Sequence, residues 1–130
     1  IFNINPLEVP LKSNPRQAPI LCFNNGYVSI SHSSDKLFLA WAPNNIGIDI
    51  EKKIRPFKAK EIVERFFHEL EKKGLEEYKK LDYFLFQKEV LRYWIIKESA
   101  YKWQSKKEPS DFFDWEYEKK LGIAVNNKKN

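Results

Sequence analysis

The sequence has 130 residues, lacks methionine, and contains one cysteine and only four glycines. Cys22 has no second cysteine with which to form a disulfide or a zinc site, so we expect a reducing, cytoplasmic location. No run approaches the roughly eighteen apolar residues that a membrane span needs, and no secretory leader opens the sequence, so no membrane partner is expected. Because position 1 is not methionine, we expect the sequence to be part of a longer chain.

Aromatic side chains, by contrast, are plentiful. They make up 15% of the sequence, and hydrophobic residues as a whole make up 42%, which excludes a disordered chain and suits one modest core. Twenty-three lysine and arginine residues against eighteen aspartate and glutamate residues give a formal charge of +5. This charge favours anionic partners, but it does not choose between phosphorylated ligands, nucleic acids and acidic proteins.

Prolines and turn residues divide the sequence near residue 25. Prolines at positions 6, 10, 15 and 19 predict that residues 1–25 form an extended connector, and the folded unit is expected to span residues 26–130. Alternating polar and apolar residues at 27–31 predict a strand, and a second is predicted at 36–42. With a third strand at 46–51, they would form a three-stranded meander.

Two helices are predicted next. Apolar residues recur at helical spacing from about Lys58, and Gly74 is placed to end that amphipathic helix. A longer helix from about Leu81 to Trp103 has apolar residues on several faces, so it is expected to be buried. With two more short strands near 112–117 and 121–125, the pattern predicts an α+β fold. In it, a short antiparallel sheet packs against a long buried helix and a second amphipathic helix.

Asp49 and Glu51 stand two residues apart on the third predicted strand, so their side chains share one face. Neighbouring carboxylates repel each other unless a cation or a strong donor lies between them, so the pair is either part of a metal site or the polar face of a solvated strand end. Glu98 and Lys102, one turn apart on the long helix, form either an ordinary ion pair or part of the same site. Three carboxylates would suit Mg²⁺ and a phosphate-bearing substrate.

Ser31, His32 and Ser33 lie where the first predicted strand ends and the chain turns. Their hydroxyls and imidazole are short-range donors suited to phosphate oxygens, although a histidine at a strand end is more often an ordinary surface residue.

Four motifs follow one another along the chain: Ser-Ile-Ser-His-Ser at 29–33, Ile-Gly-Ile-Asp-Ile-Glu at 46–51, Arg-Phe-Phe at 65–67 and Trp-Ile-Ile-Lys-Glu-Ser-Ala-Tyr-Lys at 94–102. In this order they resemble the motifs of the 4'-phosphopantetheinyl transferases. The resemblance is closest to the two-lobed, surfactin-synthetase-activating type, of which most of the N-terminal lobe would be missing. The shorter carrier-protein synthases lack Ser-His before the aspartate motif.

The resemblance implies a Mg²⁺-dependent transfer of the phosphopantetheine arm from coenzyme A to a serine of an apo acyl or peptidyl carrier protein. Adenosine 3',5'-bisphosphate is released, and no nucleic-acid partner is expected. The positions that match the family's metal ligands are Asp49, Glu51 and Glu98. The positions that match its catalytic residues are Glu98 or Glu71 as the base, with Glu69 left open, and Lys102 beside the leaving phosphate. The positions expected to bind the coenzyme are Ser31, His32, Lys97 and, as a weaker match, Arg16.

Two other functions compete with this one. Glu51 begins a Glu-x-Lys sequence beside Asp49, which a Mg²⁺-dependent nuclease could use, but that interpretation leaves the motif at 94–102 unexplained. A non-catalytic module that docks carrier proteins or nucleic acid is the other alternative, and it predicts that Asp49→Ala leaves binding intact.

Overall fold

The computed structural model describes residues 5, 8–12, 19–22, 26–53, 56–104, 112–118 and 123–126. The described strands and helices are, in chain order, β1 (Leu11–Lys12), β2 (Ile20–Leu21), β3 (Tyr27–Ser33), β4 (Lys36–Ala42), α1 (Ala59–Phe66), α2 (Glu69–Leu81), α3 (Tyr83–Trp103), β5 (Trp115–Glu118) and β6 (Ile123–Asn126). The strands pair as three two-stranded antiparallel sheets, β1 with β2, β3 with β4 and β5 with β6. The predicted α+β class is confirmed, whereas the division near residue 25 stays a prediction.

Helix α3 lies at the centre of the core, in contact with α1, α2 and the β5–β6 sheet. Its side chains Phe86, Val90 and Tyr93 pack with Phe67 and Leu75 in one buried apolar cluster. The prediction of a long core helix is therefore confirmed. Although it has 21 residues, α3 is not apolar enough to cross a membrane, and neither is any other helix in the described part of the chain.

The single amphipathic helix predicted before α3 is wrong, because this segment forms two helices. Between α1 and α2 the backbone of Phe67 and His68 is extended. The amide of His68 donates a hydrogen bond to Glu71 Oε2 at 2.8 Å, which caps the start of α2 and begins a new helix there. Gly74, expected to end the helix, lies inside α2.

The prediction of a third strand in the meander, at 46–51, is also wrong. Among the described strands, β3 pairs only with β4. The segment at 45–52 instead lies across one face of β3, where its alternate amides bond to serine hydroxyls of that strand. The alternation of side chains therefore indicated an extended segment correctly. It could not distinguish backbone acceptors from side-chain acceptors.

The C-terminal strands are confirmed as an antiparallel hairpin, in which Trp115 pairs with Asn126. A short 3-10 turn at Phe112–Asp114 replaces the first residues of the predicted strand. The hairpin packs on α3, where the rings of Tyr117 and Tyr93 lie 4.4 Å apart between centroids.

Gly47 lets the segment that carries Asp49 approach the last turn of α3. A Cβ atom at this position would overlap the carbonyl oxygen of Ser99 and the amide nitrogen of Trp103. Both are backbone atoms, which cannot turn aside as the end of a flexible side chain can. The absence of a side chain at Gly47 therefore permits the contact between this segment and α3.

We expect Gly47→Ala to lower the free energy of unfolding by about 2 kcal/mol, because overpacking against backbone forces the segment away from α3. Gly74→Ala is the matched control. Its Cβ would meet only the hydroxyl of Tyr93 at 3.6 Å, and removing a glycine from a helix interior should raise stability by roughly 0.5 to 1 kcal/mol. Urea unfolding followed by circular dichroism measures both changes, and equal effects from the two substitutions would contradict this account.

Candidate functional site

Serine hydroxyls of β3 hold the segment that carries Asp49 and Glu51. The hydroxyl oxygen of Ser31 accepts a hydrogen bond from the amide that follows Asp49, and that of Ser33 from the amide that follows Glu51, both at 3.1 Å. Each hydroxyl also donates to a carboxylate, Ser31 to Asp49 Oδ1 at 2.8 Å and Ser33 to Glu51 Oε2 at 3.2 Å. Both carboxylates therefore face the same strand.

Lys102, in the last turn of α3, forms an ion pair with Asp49. Its Nζ lies 2.6 Å from Asp49 Oδ1 and 3.5 Å from the hydroxyl oxygen of Ser31. The side chain of Asp49 is only 8% exposed, so this is a short charge-assisted hydrogen bond away from bulk water. The second oxygen, Asp49 Oδ2, is buried and has no hydrogen-bond partner within the described residues.

Glu98 lies one turn before Lys102 on α3 and is half-buried. Burial raises the pKa of its carboxyl group; the negative charge of Asp49 raises it further, Lys102 lowers it, and Glu51 adds a smaller rise. The structure thus brings Glu98 within the electrostatic reach of both carboxylates on the 45–52 segment. Three acidic groups from two distant parts of the sequence share one site.

This group of side chains fits a hard divalent cation in its chemistry. All three acidic groups offer oxygen, which is the ligand that Mg²⁺ prefers. The buried Oδ2 of Asp49 also needs a cation or a donor, because an unpartnered buried oxygen is unfavourable. Among the residues that the structure describes, no three His, Cys, Asp or Glu side chains already surround one point as metal ligands. In this structure the positive charge beside Asp49 is supplied by the ammonium group of Lys102.

Lys97 and Glu71 form a separate, fully buried ion pair. Lys97 Nζ donates to Glu71 Oε2 at 2.8 Å and to the carbonyl oxygen of Phe66 at 3.0 Å. Glu71 Oε2 also accepts the amide of His68, and Glu71 Oε1 accepts the amide of Tyr117, each at 2.8 Å. The ion pair therefore joins α1, α2, α3 and β5 at one point inside the core.

The burial of this pair bears on two roles expected from the sequence. Side-chain exposure is 0% for Lys97 and 1% for Glu71, and both oxygens of Glu71 already accept hydrogen bonds. Burial lowers the pKa of Lys97, and the hydrogen bond to Glu71 opposes that shift. The structure thus places the expected coenzyme ligand Lys97 and the candidate base Glu71 against each other rather than beside Asp49.

Of the other two residues expected to bind the coenzyme, the structure describes only His32, which does not join this site. His32 is exposed, and by the alternation of side chains along β3 it faces away from Ser31 and Ser33. Arg16 lies outside the described residues. Glu69, the further candidate for the base, is exposed on the first turn of α2 and pairs with Lys72.

The sequence predicted a role for the hydroxyls of Ser31 and Ser33 but none for that of Ser29. The hydroxyl oxygen of Ser29 accepts the amide of Ile48 at 3.0 Å, so it continues the row formed by Ser31 and Ser33. The available signal was the occurrence of serine at every second position of one strand, which places three hydroxyls on the same face.

Comparison with known proteins gives a family for this arrangement. Residues 45–126 match the model of the 4'-phosphopantetheinyl transferase superfamily, which is more than half of the 130 residues. The chain belongs to this superfamily. A search of curated proteins returns no match. The phosphopantetheinyl transferase region contains Asp49, Glu51, Glu98 and Lys102, and also the buried pair of Lys97 and Glu71. The match favours a transferase over the nuclease alternative.

Removing one member of the buried pair should destabilise the protein more than removing both charges. Lys97→Met leaves the Glu71 carboxylate buried without its cation, which should cost about 3 kcal/mol or more. Adding Glu71→Gln removes the stranded charge, so the double variant should recover part of that loss. Chemical denaturation measures the free energy of unfolding of the single and the double variant.

The exposed pair of Lys72 and Glu69 provides the control, because its two side chains are 24% and 80% exposed. Lys72→Met should change stability by less than about 1 kcal/mol. The buried pair would not have the structural role described if Lys97→Met lowered stability as little as Lys72→Met does. The same would follow if the double variant were less stable than Lys97→Met alone.

Glu98→Gln should stabilise the metal-free protein by a small amount, because it removes a half-buried negative charge close to Asp49 and Glu51. A rise in Tm of about 1 to 3 °C at neutral pH is expected. Glu77→Gln, on the exposed face of α2, should leave Tm unchanged. A clear loss of Tm on Glu98→Gln would show that the Glu98 carboxylate stabilises the fold.

Proposed function

We propose that this protein transfers the phosphopantetheine arm of coenzyme A to a serine of an apo acyl or peptidyl carrier protein, with Mg²⁺ as the metal. The observation that carries the proposal is the meeting of Asp49, Glu51 and Glu98 beside Lys102, within the region that matches the superfamily. Acidic and basic groups side by side suit a substrate whose phosphates need both a metal and a direct cation.

The reaction replaces one phosphorus–oxygen bond with another. The serine oxygen of the carrier forms a bond to the phosphorus that bears the pantetheine arm, and the bond from that phosphorus to the bridging oxygen breaks. Adenosine 3',5'-bisphosphate leaves with the bonding electrons, and the serine proton passes to a base. Phosphoryl transfer of this kind depends mainly on positioning and on stabilising negative charge.

Glu98 is the base that this site supports best. Its carboxylate is half-buried rather than enclosed, which leaves it accessible to the serine of a carrier. Glu71 is 3% exposed and already accepts three hydrogen bonds. We therefore infer that Glu98 accepts the proton of the carrier serine and that Glu71 holds Lys97 inside the core.

The metal would be held by Asp49, Glu51 and Glu98, and when bound it supplies positive charge to the pyrophosphate oxygens. Lys102 keeps a side chain that is 29% exposed, so its ammonium can donate to the leaving phosphate.

Three further coenzyme contacts follow from the resemblance alone. Ser31, His32 and Arg16 stay proposals in this role. Because Ser31 and His32 point to opposite faces of β3, they would meet different parts of the coenzyme.

The two-lobed type is the proposed subgroup, because Ser31 and His32 precede the Asp49 motif as they do in that type. A cytoplasmic location remains a proposal that rests on the single cysteine, Cys22.

Incubating the full-length protein with coenzyme A, Mg²⁺ and an apo carrier protein should add one phosphopantetheine group to the carrier, as read by intact-protein mass spectrometry. Asp49→Ala should abolish the added mass, because it removes both the metal ligand and the partner of Lys102, and chelation of Mg²⁺ should do the same. Glu77→Ala, which removes an exposed carboxylate of α2, should retain activity. An unmodified carrier after incubation with the unaltered protein would contradict the proposal.

A further inference from the structure

The row of serines on β3 does more than hold the neighbouring segment. A hydroxyl group has one hydrogen and two acceptor lone pairs. In Ser31 and Ser33 the oxygen accepts a backbone amide of the 45–52 segment, so the hydrogen is left to point elsewhere. In both cases it points at the carboxylate of the residue just before that amide, Asp49 or Glu51.

This double use fixes which way each carboxylate faces. Ser31 engages Asp49 through Oδ1, and Oδ2 is left buried and without a partner among the described residues. Ser33 engages Glu51 through Oε2. Hydrogen bonds of this kind, from donors outside the metal site, orient metal ligands in proteins.

Ser29 provides an internal comparison within the same row. Its hydroxyl oxygen accepts the amide of Ile48 at 3.0 Å, as the other two serines accept theirs. The residue before that amide is Gly47, which has no side chain to receive the hydrogen. Ser29 therefore supports the segment without orienting an acidic group, which separates support of the backbone from orientation of the ligand.

We propose that Ser33 is a positioning residue for the metal site, one that orients Glu51 through its hydroxyl, and that Ser31 does the same for Asp49. The inference rests on the proposed role of these two carboxylates in holding Mg²⁺. It assigns Ser31 an action on the metal ligands beyond the coenzyme contact expected from its motif. Ser33 carries the test, because Ser31 also lies near Lys102.

The test measures Mn²⁺ binding by electron paramagnetic resonance, with Mn²⁺ as a stand-in for Mg²⁺ and without carrier protein or turnover. Ser33→Ala should weaken Mn²⁺ binding about tenfold, because Glu51 loses its orienting donor. Ser33→Thr, which keeps the hydroxyl, should bind within about twofold of the unaltered protein. Ser29→Ala should also bind within about twofold, although it removes an equivalent bond to the backbone.

Thermal unfolding of the same variants distinguishes a specific loss of Mn²⁺ affinity from a general loss of stability. Ser33→Ala should lose no more stability than Ser29→Ala, because the bond of Ser29 to the backbone is the more buried of the two, while only Ser33→Ala should lose affinity for Mn²⁺. Equal Mn²⁺ affinity in Ser33→Ala and Ser29→Ala would overturn the inference and leave the transferase proposal intact if the unaltered protein still modifies a carrier. Absence of Mn²⁺ binding in the unaltered protein would overturn both the inference and the proposed metal site.

Discussion

The buried ion pair between Lys97 and Glu71 is the interaction on which the arrangement of the described helices depends. Two charges without access to water must be satisfied where they lie, and here the carbonyl of Phe66 and the amides of His68 and Tyr117 complete their hydrogen bonds. The pair therefore fixes the break between α1 and α2, the position of β5 and the rotation of α3 about its axis.

The rotation of α3 matters most for the site. Consecutive residues of a helix point about 100° apart, so burying Lys97 turns Glu98 toward a different neighbour. In this structure that neighbour is the segment bearing Asp49, which Gly47 allows to approach the last turn of α3. A core interaction and a missing side chain together place the carboxylates. Asp49, Glu51 and Glu98 themselves have no positive φ angle.

The sequence was sufficient to predict the elements whose signals are local. The hairpin of β3 and β4, the long helix α3 and the C-terminal strands follow from side-chain periodicity. The break at Phe67 and His68 was missed although one part of its signal, Glu71 three residues after His68, is local. The other part, the contact between Glu71 and Lys97, 26 residues further along the chain, is not local. The burial of Lys97 was not predicted either, because a lysine directly before the proposed catalytic Glu98 favours a ligand contact when only the sequence is considered.

The segment at 45–52 illustrates another limit of sequence patterns. Its alternation indicates an extended chain, but it gives no means to distinguish a carbonyl acceptor from a serine hydroxyl. The hydroxyls of Ser31 and Ser33 bind the backbone of this segment and its carboxylates at once. Support of the segment and orientation of its acidic groups are thus carried by the same atoms, which no pairing of backbone strands would provide.

The central claim is that Asp49, Glu51 and Glu98 hold one divalent cation. Anomalous X-ray diffraction from crystals grown with Mn²⁺ and coenzyme A tests it most directly. This account predicts a single strong peak in contact with oxygens of all three carboxylates, with Lys97 still buried against Glu71. A peak elsewhere on the protein, or no peak beside Asp49 when the coenzyme is bound, would contradict it.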